Sequence, residues 1–403
     1  MSAKVGISSP SMRSPTLRLA AAITALALAA TVAAAPGKKL SYKVIDLGTL
    51  PGMTMTMNTF GSINQRGQVA GWSYFNHYVD DTPFIWEKGA MKELDAPLTP
   101  AGPQGINDHS QIVGAYADAQ SAMHAFFYGA DGFVPLPDPE GAPAGAWARC
   151  INNRGTIGGN AVSSEFAYMF GRAPVIWVDG QPQVLPMLDL GFGPPGGAVY
   201  AMNDAEQMVG HSGGPFEVDW TIMYFCLHTH ATLWEDGQPI DLGTLYDHPS
   251  SMAFGINNAG VVVGHSGVAS SGASRAFVWS KQTGMVDLGM PDGWLSAWAQ
   301  GINDRGEIVG SVSMAGDPQF GFPSEYGAPP PVLPINHAVL WKDGQCIDLQ
   351  DLVADSTWML YNATAINARG QILIWATKVN DPPDPADPDK DYIIHLILLD
   401  PTK

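Results

Sequence analysis

The sequence predicts an all-β fold: a seven-bladed β-propeller of four-stranded blades, closed by an N-terminal strand that completes the last blade. Three observations carry this expectation. An Ile-Asn-x-x-Gly motif leading into a short apolar strand recurs seven times along 403 residues, at the spacing of propeller blades or solenoid turns. Gly 45 and Pro 32 leave long helices almost nowhere to form. The two ends of the repeated region carry complementary fragments of a single unit.

The chain opens with a different kind of segment. Lys4, Arg13 and Arg18 precede an apolar run, Leu19–Ala30, and then the small residues Thr31–Ala35. Basic, apolar and small-residue zones in that order read as a secretory signal peptide. The run is too short and Ala-rich for a membrane anchor. Residues 1–35 are therefore expected to be removed, with cleavage between Ala33 and Ala35, leaving 36–403 as a single propeller domain in the periplasm or outside the cell. Removing three cations takes the formal net charge from −18 to −21. Such a chain repels phosphate backbones, so nucleic acid is not an expected partner, and neither is an anionic membrane surface. No later stretch is apolar enough to span a membrane. Cys150, Cys226 and Cys346 are an odd number, not a disulfide framework; stability must come from the core.

The repeat centres on Asn64, Asn107, Asn152, Asn203, Asn257, Asn303 and Asn367, which lie 43, 45, 51, 54, 46 and 64 residues apart. Small-residue segments such as Trp147-Ala-Arg-Cys and Met252-Ala-Phe-Gly precede the Asn and predict an inner strand. The Asn side chain opens a turn by accepting from the backbone two residues on, and the Gly three positions later closes it at positive φ. Ser110 and Glu206 replace that Gly in the second and fourth copies, predicting strained or altered turns. A second strand follows. The third ends in an aromatic residue, as in Phe84-Ile-Trp86 or His337-Ala-Val-Leu-Trp341. Asp-Gly turns at 179–180, 236–237 and 343–344 then lead into fourth strands such as Ile240–Leu245. Tyr42–Leu50 matches a fourth strand with no unit before it, and His395–Leu399 a third strand with no fourth after it. Pairing them closes a ring and leaves no raw edge.

The recurring His-Ala-Phe/Val-x-Trp, Asp-Leu-Gly-Thr-Leu and Ile-Asn-x-x-Gly-x-Val-Val-Gly segments resemble the HAF repeat of bacterial extracellular repeat proteins over roughly 42–400. The resemblance implies a secreted or cell-surface protein and brings no catalytic residue or ligand with it. The His stands at 124, 230, 337 and 395, but Thr82, Ala173 and Arg275 replace it elsewhere, a scatter suited to packing.

Loop lengths point to a working face. The Asn-x-x-Gly and Asp-Gly turns lie on one face and are short. The loops between second and third strands, at 72–81, 115–123, 160–172, 211–229, 265–274, 311–336 and 375–391, lie on the other and vary widely, as binding loops of repeat arrays do. The candidate ligand-binding residues on that face are Trp72, Tyr74, Tyr116, Trp220, Tyr246, Trp294, Trp298 and Trp358, with His211 and His265 near the axis. Exposed aromatics there would stack on sugar rings or anchor a protein; buried ones would cap blades.

Chemical motifs are sparse. Cys226-Leu-His228-Thr-His230 has zinc-like alternation, but His230 occupies a repeat position that elsewhere needs no metal. The Asp-rich run 381–391 offers oxygen ligands without the glycine and spacing of a calcium loop. No nucleophile motif or phosphate-cradling loop appears, so neither cofactor nor metal is expected. The expected function is a secreted, non-catalytic module that binds a glycan or protein on the loop-rich face. The alternatives are a polysaccharide or ester hydrolase or lyase working in the axial funnel, and a structural component of the cell surface or matrix.

Overall fold

The computed structural model describes residues 40–402, apart from 60, 76–80, 97–100, 121, 141–144, 163–171, 193–194, 220–223, 268–272, 315–335, 380 and 382–392. The expected leader, Trp220 and most of the Asp-rich run lie outside the described residues. Among the described residues no helix is long and apolar enough to cross a membrane.

Seven antiparallel sheets of four strands follow one another along the chain, and a 3₁₀ turn occupies Leu349–Leu352. Blade 2 is typical: Ala101–Ile106 innermost, then Ile112–Ala117, Met123–Gly129 and Gly132–Pro135. Blade 7 has the split composition that the chain ends predict. Trp358–Ile366, Ile372–Lys378 and His395–Pro401 are completed by Tyr42–Asp46. Val44 pairs with Leu399 and Tyr42 with Pro401. Thr402 N–H donates to the Ser41 carbonyl (2.9 Å), and Leu47 N–H to that of Leu396 (3.1 Å), so the seam is bonded at both ends.

The turns behave as their residues dictate. Asp179-Gly180, Asp236-Gly237 and Asp343-Gly344 have positive φ at both positions, 51° for each Asp and 72–74° for the Gly, the primed turn that matches strand twist. Ser110 and Glu206 are forced to φ 61° and 63° where the other repeats use Gly. Each stores on the order of 1–2 kcal/mol of backbone strain.

The Gly that ends each second-strand motif has a different purpose. A Cβ on Gly310 would lie 1.8 Å from the Trp298 carbonyl oxygen, and one on Gly210 1.9 Å from that of Ala198. The crowding coincides with a β-bulge in the inner strand, which inserts one residue between Ala299 and Gly301, and between Val199 and Ala201. Blade 7 has Ile374 at this position, and its inner strand carries a second bulge, between Leu360 and Asn362.

Blades are joined by hydrogen bonds as well as apolar packing. Trp177, Trp234 and Trp341 end third strands, and their indoles donate to the carbonyls of Pro137 (2.9 Å), Pro186 (2.7 Å) and Gly289 (2.9 Å) in the preceding blade. The recurrent aromatic is thus a bolt between blades. Cys150 and Cys346 are free thiols, and burial pushes each up to about 12.

One loop expectation is corrected. Residues 211–229 do not form a loop: Met208–Asp219 and Tyr224–Glu235 are twelve-residue strands paired from Met208↔Trp234 to Asp219↔Tyr224. The alternation of β-formers in Phe216-Glu-Val and Tyr224-Phe-Cys-Leu extends the hairpin beyond its neighbours, across a register shift between Gly213 and Phe216.

Candidate functional site

The short turns surround the narrow mouth of the axis, where Asn64, Gln65 and their counterparts enclose a polar cavity of about 150 Å³. Each buried Asn bonds in two directions. In blade 4, Asn203 Oδ1 accepts from Ala205 and Gln207 N–H, both at 3.0 Å, and Nδ2 donates to the Asn257 carbonyl of blade 5 (3.1 Å). The same inter-blade bond runs from Asn64 to Asn107, Asn107 to Asn152, Asn152 to Asn203, Asn257 to Asn303 and Asn303 to Asn367. Asn367 returns it to Asn64. The circle is complete.

A second collar forms one residue later. Backbone N–H groups of Gln65, Asp108, Asn153, Asp204 and Asn258 donate to the side chains of Asp108, Asn153, Asp204, Asn258 and Asp304 in turn. Ala368 N–H donates to Gln65 Oε1 (2.7 Å), so the collar opens only between Asp304 and Ala368, whose methyl cannot accept. Arg305 spans that gap to the Ala368 carbonyl (2.5 Å). Asn153 lies between Asp108 and Asp204 and donates to both, keeping the carboxylates apart. Among the described residues no three His, Cys, Asp or Glu side chains gather closely enough to hold a metal ion. The mouth is a fastening built from side-chain amides.

The inner-strand bulges furnish the channel wall. The inserted residues are Gln104, Arg149, Tyr200, Phe254, Gln300 and, in blade 7, Thr364. On one side they form an aromatic arc. The Arg149 guanidinium lies 5.0 Å from the Trp147 ring and 5.4 Å from Tyr200, with Nε donating to Asn160 (2.8 Å). Tyr200 faces Phe254 at 5.2 Å. On the other side stand buried amides, among them Gln300 and Asn362; among the described residues Oε1 of the first and both polar side-chain atoms of the second lack hydrogen-bond partners. His211 and His265 do not touch: His211 stacks on Tyr200 (5.5 Å) and His265 on Phe254 (5.4 Å). Burial brings His265 down to about 4, so its ring is neutral near pH 7. Arg149, Tyr200, Phe254 and Gln300 were not singled out from the sequence. Their signal is a large, variable residue three positions before each Asn, inside segments otherwise rich in Ala and Gly.

The expected ligand-binding aromatics fall into two groups. Trp72 and Tyr74 lie in the strand Val69–Tyr74, and Tyr116 in Ile112–Ala117; all are buried in blade cores. Trp298 and Trp358 are buried in inner strands. Several cap the repeat histidines: Tyr116 lies 5.6 Å from His124, Trp294 4.9 Å from His337 and Trp358 5.2 Å from His395. Those histidines pair with carboxylates: His124 with Asp138, His230 with Asp241, His337 with Asp348, and His395 with Asp46 and Asp381. His230 is thus engaged by a carboxylate, and His228 stacks on Phe192 at 4.4 Å. Tyr246 is different, at 68% exposed.

Exposed apolar side chains divide unevenly. Phe75, Phe192, Tyr246, Leu295, Met314 and Val379 follow second strands or precede inner ones, and Met359 is the second residue of the inner strand Trp358–Ile366, all at the loop-rich end. The others, Val134, Val178, Val184, Ile240 and Val286, lie on the outer strands of blades.

No family model matches the chain, and no curated protein does. Solved structures do. The β-propeller domain of the trilobed protease from Pyrococcus furiosus superposes with a TM-score of 0.51 at 10% identity, over 86% of this chain and 95% of that one. The likeness is one of fold. That domain is described as having an open velcro topology, whereas here Tyr42–Asp46 pairs with His395–Pro401. An acylaminoacyl peptidase from Pyrococcus horikoshii gives 0.48 at 12% identity over 87% of this chain, which spans about half (52%) of that protein. A gluconolactonase from Xanthomonas campestris gives 0.38 at 12% identity, over 90% of each chain.

Proposed function

We propose that the chain is a secreted, non-catalytic module that recognises a glycan or protein partner through its loop-rich face. The observation that carries this reading is the asymmetry between the faces. One is drawn shut by two collars of hydrogen bonds around the axis, and the other presents seven exposed apolar side chains among the described residues. Scattered surface apolar residues are ordinary, whereas a collection on one face marks an interaction surface. Export accords with the basic-apolar-small N-terminal segment and with the resemblance to HAF repeats. A glycan array and an affinity pull-down from envelope and culture-medium fractions test the reading. Binding should fall at least tenfold when Phe192 and Tyr246 are both changed to Ser, and persist when Arg154 and Arg369 of the narrow face are changed to Ser. Two blank assays, or binding insensitive to the loop-face pair, would remove it.

A further inference from the structure

Blade 5 departs from the repeat at three neighbouring points. The connection entering it, Leu245-Tyr246-Asp247-His248, closes with His248 N–H donating to the Leu245 carbonyl (2.9 Å). Its counterpart entering blade 1, Leu50-Pro51-Gly52-Met53, closes with the same bond (3.0 Å). The blade 1 turn uses Pro and a Gly at φ 84°, the residues such a turn favours. The blade 5 turn instead holds Tyr246 at φ 52° and Asp247 at φ 56°, two successive side-chain-bearing residues in the left-handed region. Strain of this kind persists where the surrounding structure enforces it, and it gathers at ligand-binding positions.

The strained turn presents a fixed aromatic surface. Tyr246 Oη donates to Asp287 Oδ2 (2.9 Å), and its ring meets His248 edge-on at 5.8 Å. The hydroxyl bond and the edge contact hold the ring in place, yet Tyr246 remains 68% exposed. Trp294, in the connection entering blade 6, and Trp358, the first residue of the blade 7 inner strand, are instead packed against a repeat histidine.

The third departure is Arg275. It stands where His230, His337 and His395 stand in their blades, two residues before the strand partner of the rim carboxylate (Phe277↔Asp287, as Thr232↔Asp241 and Val339↔Asp348). Those histidines bond their carboxylates. Asp287 is engaged by Tyr246 and by Gly289 N–H (2.7 Å), and among the described residues Arg275 has no hydrogen-bond or ion-pair partner. Arg275 lies close enough for its charge to act on Tyr246, and a cation with open donors beside an exposed ring suits a ligand with an apolar ring face and a carboxylate, attracted locally against the repulsion of a formal net charge of −18.

From this we infer that Tyr246 and Arg275 form a subsite for an acidic sugar residue, the ring stacking on Tyr246 and the sugar carboxylate meeting the Arg275 guanidinium. Stacking and a forked charge-assisted hydrogen bond are the interactions these two side chains provide. The inference rests on the loop-face reading above and narrows it to uronate-bearing glycans.

The test is calorimetric titration of the protein with a hexamer of galacturonate, with the same hexamer after carboxyl reduction, and with a hexaglutamate peptide. The uronate should bind, weakening with salt, and the reduced sugar and the peptide should bind at least tenfold more weakly. Arg275→His, which restores the residue of four other blades, should lose about tenfold. The double substitution Tyr246→Pro, Asp247→Gly grafts the blade 1 turn. It should abolish binding while raising the thermal midpoint by about 2 °C or more as strain is relieved; a structural role alone would leave affinity unchanged. Equal binding of the reduced hexamer or of hexaglutamate overturns the acidic-sugar assignment, as does retention of affinity by the grafted variant. If only neutral glycans bind, and the Phe192, Tyr246 pair is needed for it, the subsite fails while the loop-face reading stands. Absence of any glycan binding removes the subsite outright, and the pull-down then decides the broader reading.

Discussion

Replacing Asn203 with Ala tests whether the inner collar holds the blades together. The side chain is buried and makes four hydrogen bonds: from Ala205 and Gln207 N–H, to Gln207 Oε1 (2.8 Å) and to the Asn257 carbonyl (3.1 Å). At about 1 kcal/mol net for each, their loss amounts to about 4 kcal/mol. Two backbone donors and one acceptor are left without partners, which adds to the loss. Water entering from the adjoining cavity of about 150 Å³ reduces it. The expected outcome is about 3–4 kcal/mol. Urea denaturation followed by tryptophan fluorescence should show the midpoint falling by about 1 M, given a slope of about 3–4 kcal/mol/M for a chain this long. Asn203→Asp keeps the acceptor and sets a carboxylate against the Asn257 carbonyl. It should be at least as destabilised at pH 7 and recover once acid protonates the new group. A midpoint shift below about 0.3 M for Asn203→Ala would refute the reasoning, because the collar would then be ornament to blades already secured by their cores.

Three further outcomes follow from the fold. Gly310→Ala places a Cβ 1.8 Å from a backbone oxygen, so the strands must part; a stability loss of about 1–3 kcal/mol or more is expected in the same urea assay. Ile45→Pro removes a donor from the closing ladder, where Ile45 faces Leu398 in register with the Leu47 bond to Leu396, and should open the seam, read as faster amide exchange across His395–Pro401 than across the inner strands of other blades. The third concerns pH. Burial opposes a proton on His395, but bonds to Asp46 and Asp381 outweigh it and hold the pKa above the usual histidine value. Burial likewise opposes charge on Asp46, and its bonds from His395 and Gly48 N–H win and hold it below the carboxylate range. A raised histidine stabilises fully below about pH 6.5 and loses this as pH climbs through its folded value; a depressed carboxylate stabilises above about pH 4 and loses this as pH falls. The seam pair should therefore add most between about pH 4 and 6.5. Both groups are partly exposed, so the gain is about 0.2–1 kcal/mol. It is measured as the wild-type minus His395→Phe stability difference across pH; a difference that grows toward pH 9 would contradict it.

The architecture was readable because each blade solves the same local problem with the same residues. Asp179-Gly180 announces its turn, and the unmatched segments Tyr42–Leu50 and His395–Leu399 declare their pairing. What stayed hidden was non-local. Asn64 predicts its own turn, but its amide donates to a carbonyl 43 residues away, and nothing in one repeat reveals that acceptor. The bulge that turns out Arg149 or Tyr200 depends on how closely inner strands crowd the axis, so these residues read as irregularities in a small-residue stretch. Trp72 and Tyr116 belong, by the same logic, to strands that run further than the loop boundaries implied. Their exposure could not be judged from sequence, because a surface aromatic and a blade cap have the same composition. Tyr246 was singled out as a loop aromatic and is exposed, while Arg275 entered only as a departure from the repeat.

The meeting of Ser41 and Thr402 across a 2.9 Å bond has a consequence for protein engineering. In a variant begun at Ser41, a few residues of linker would join it to Thr402, and the chain could then be recut at an Asp-Gly hairpin such as 236–237 without severing a core strand. Circularly permuted forms would move the one discontinuous sheet to a different place on the ring. Comparing their refolding rates would reveal whether assembly begins wherever the chain is most local or waits for the distant ends to find each other.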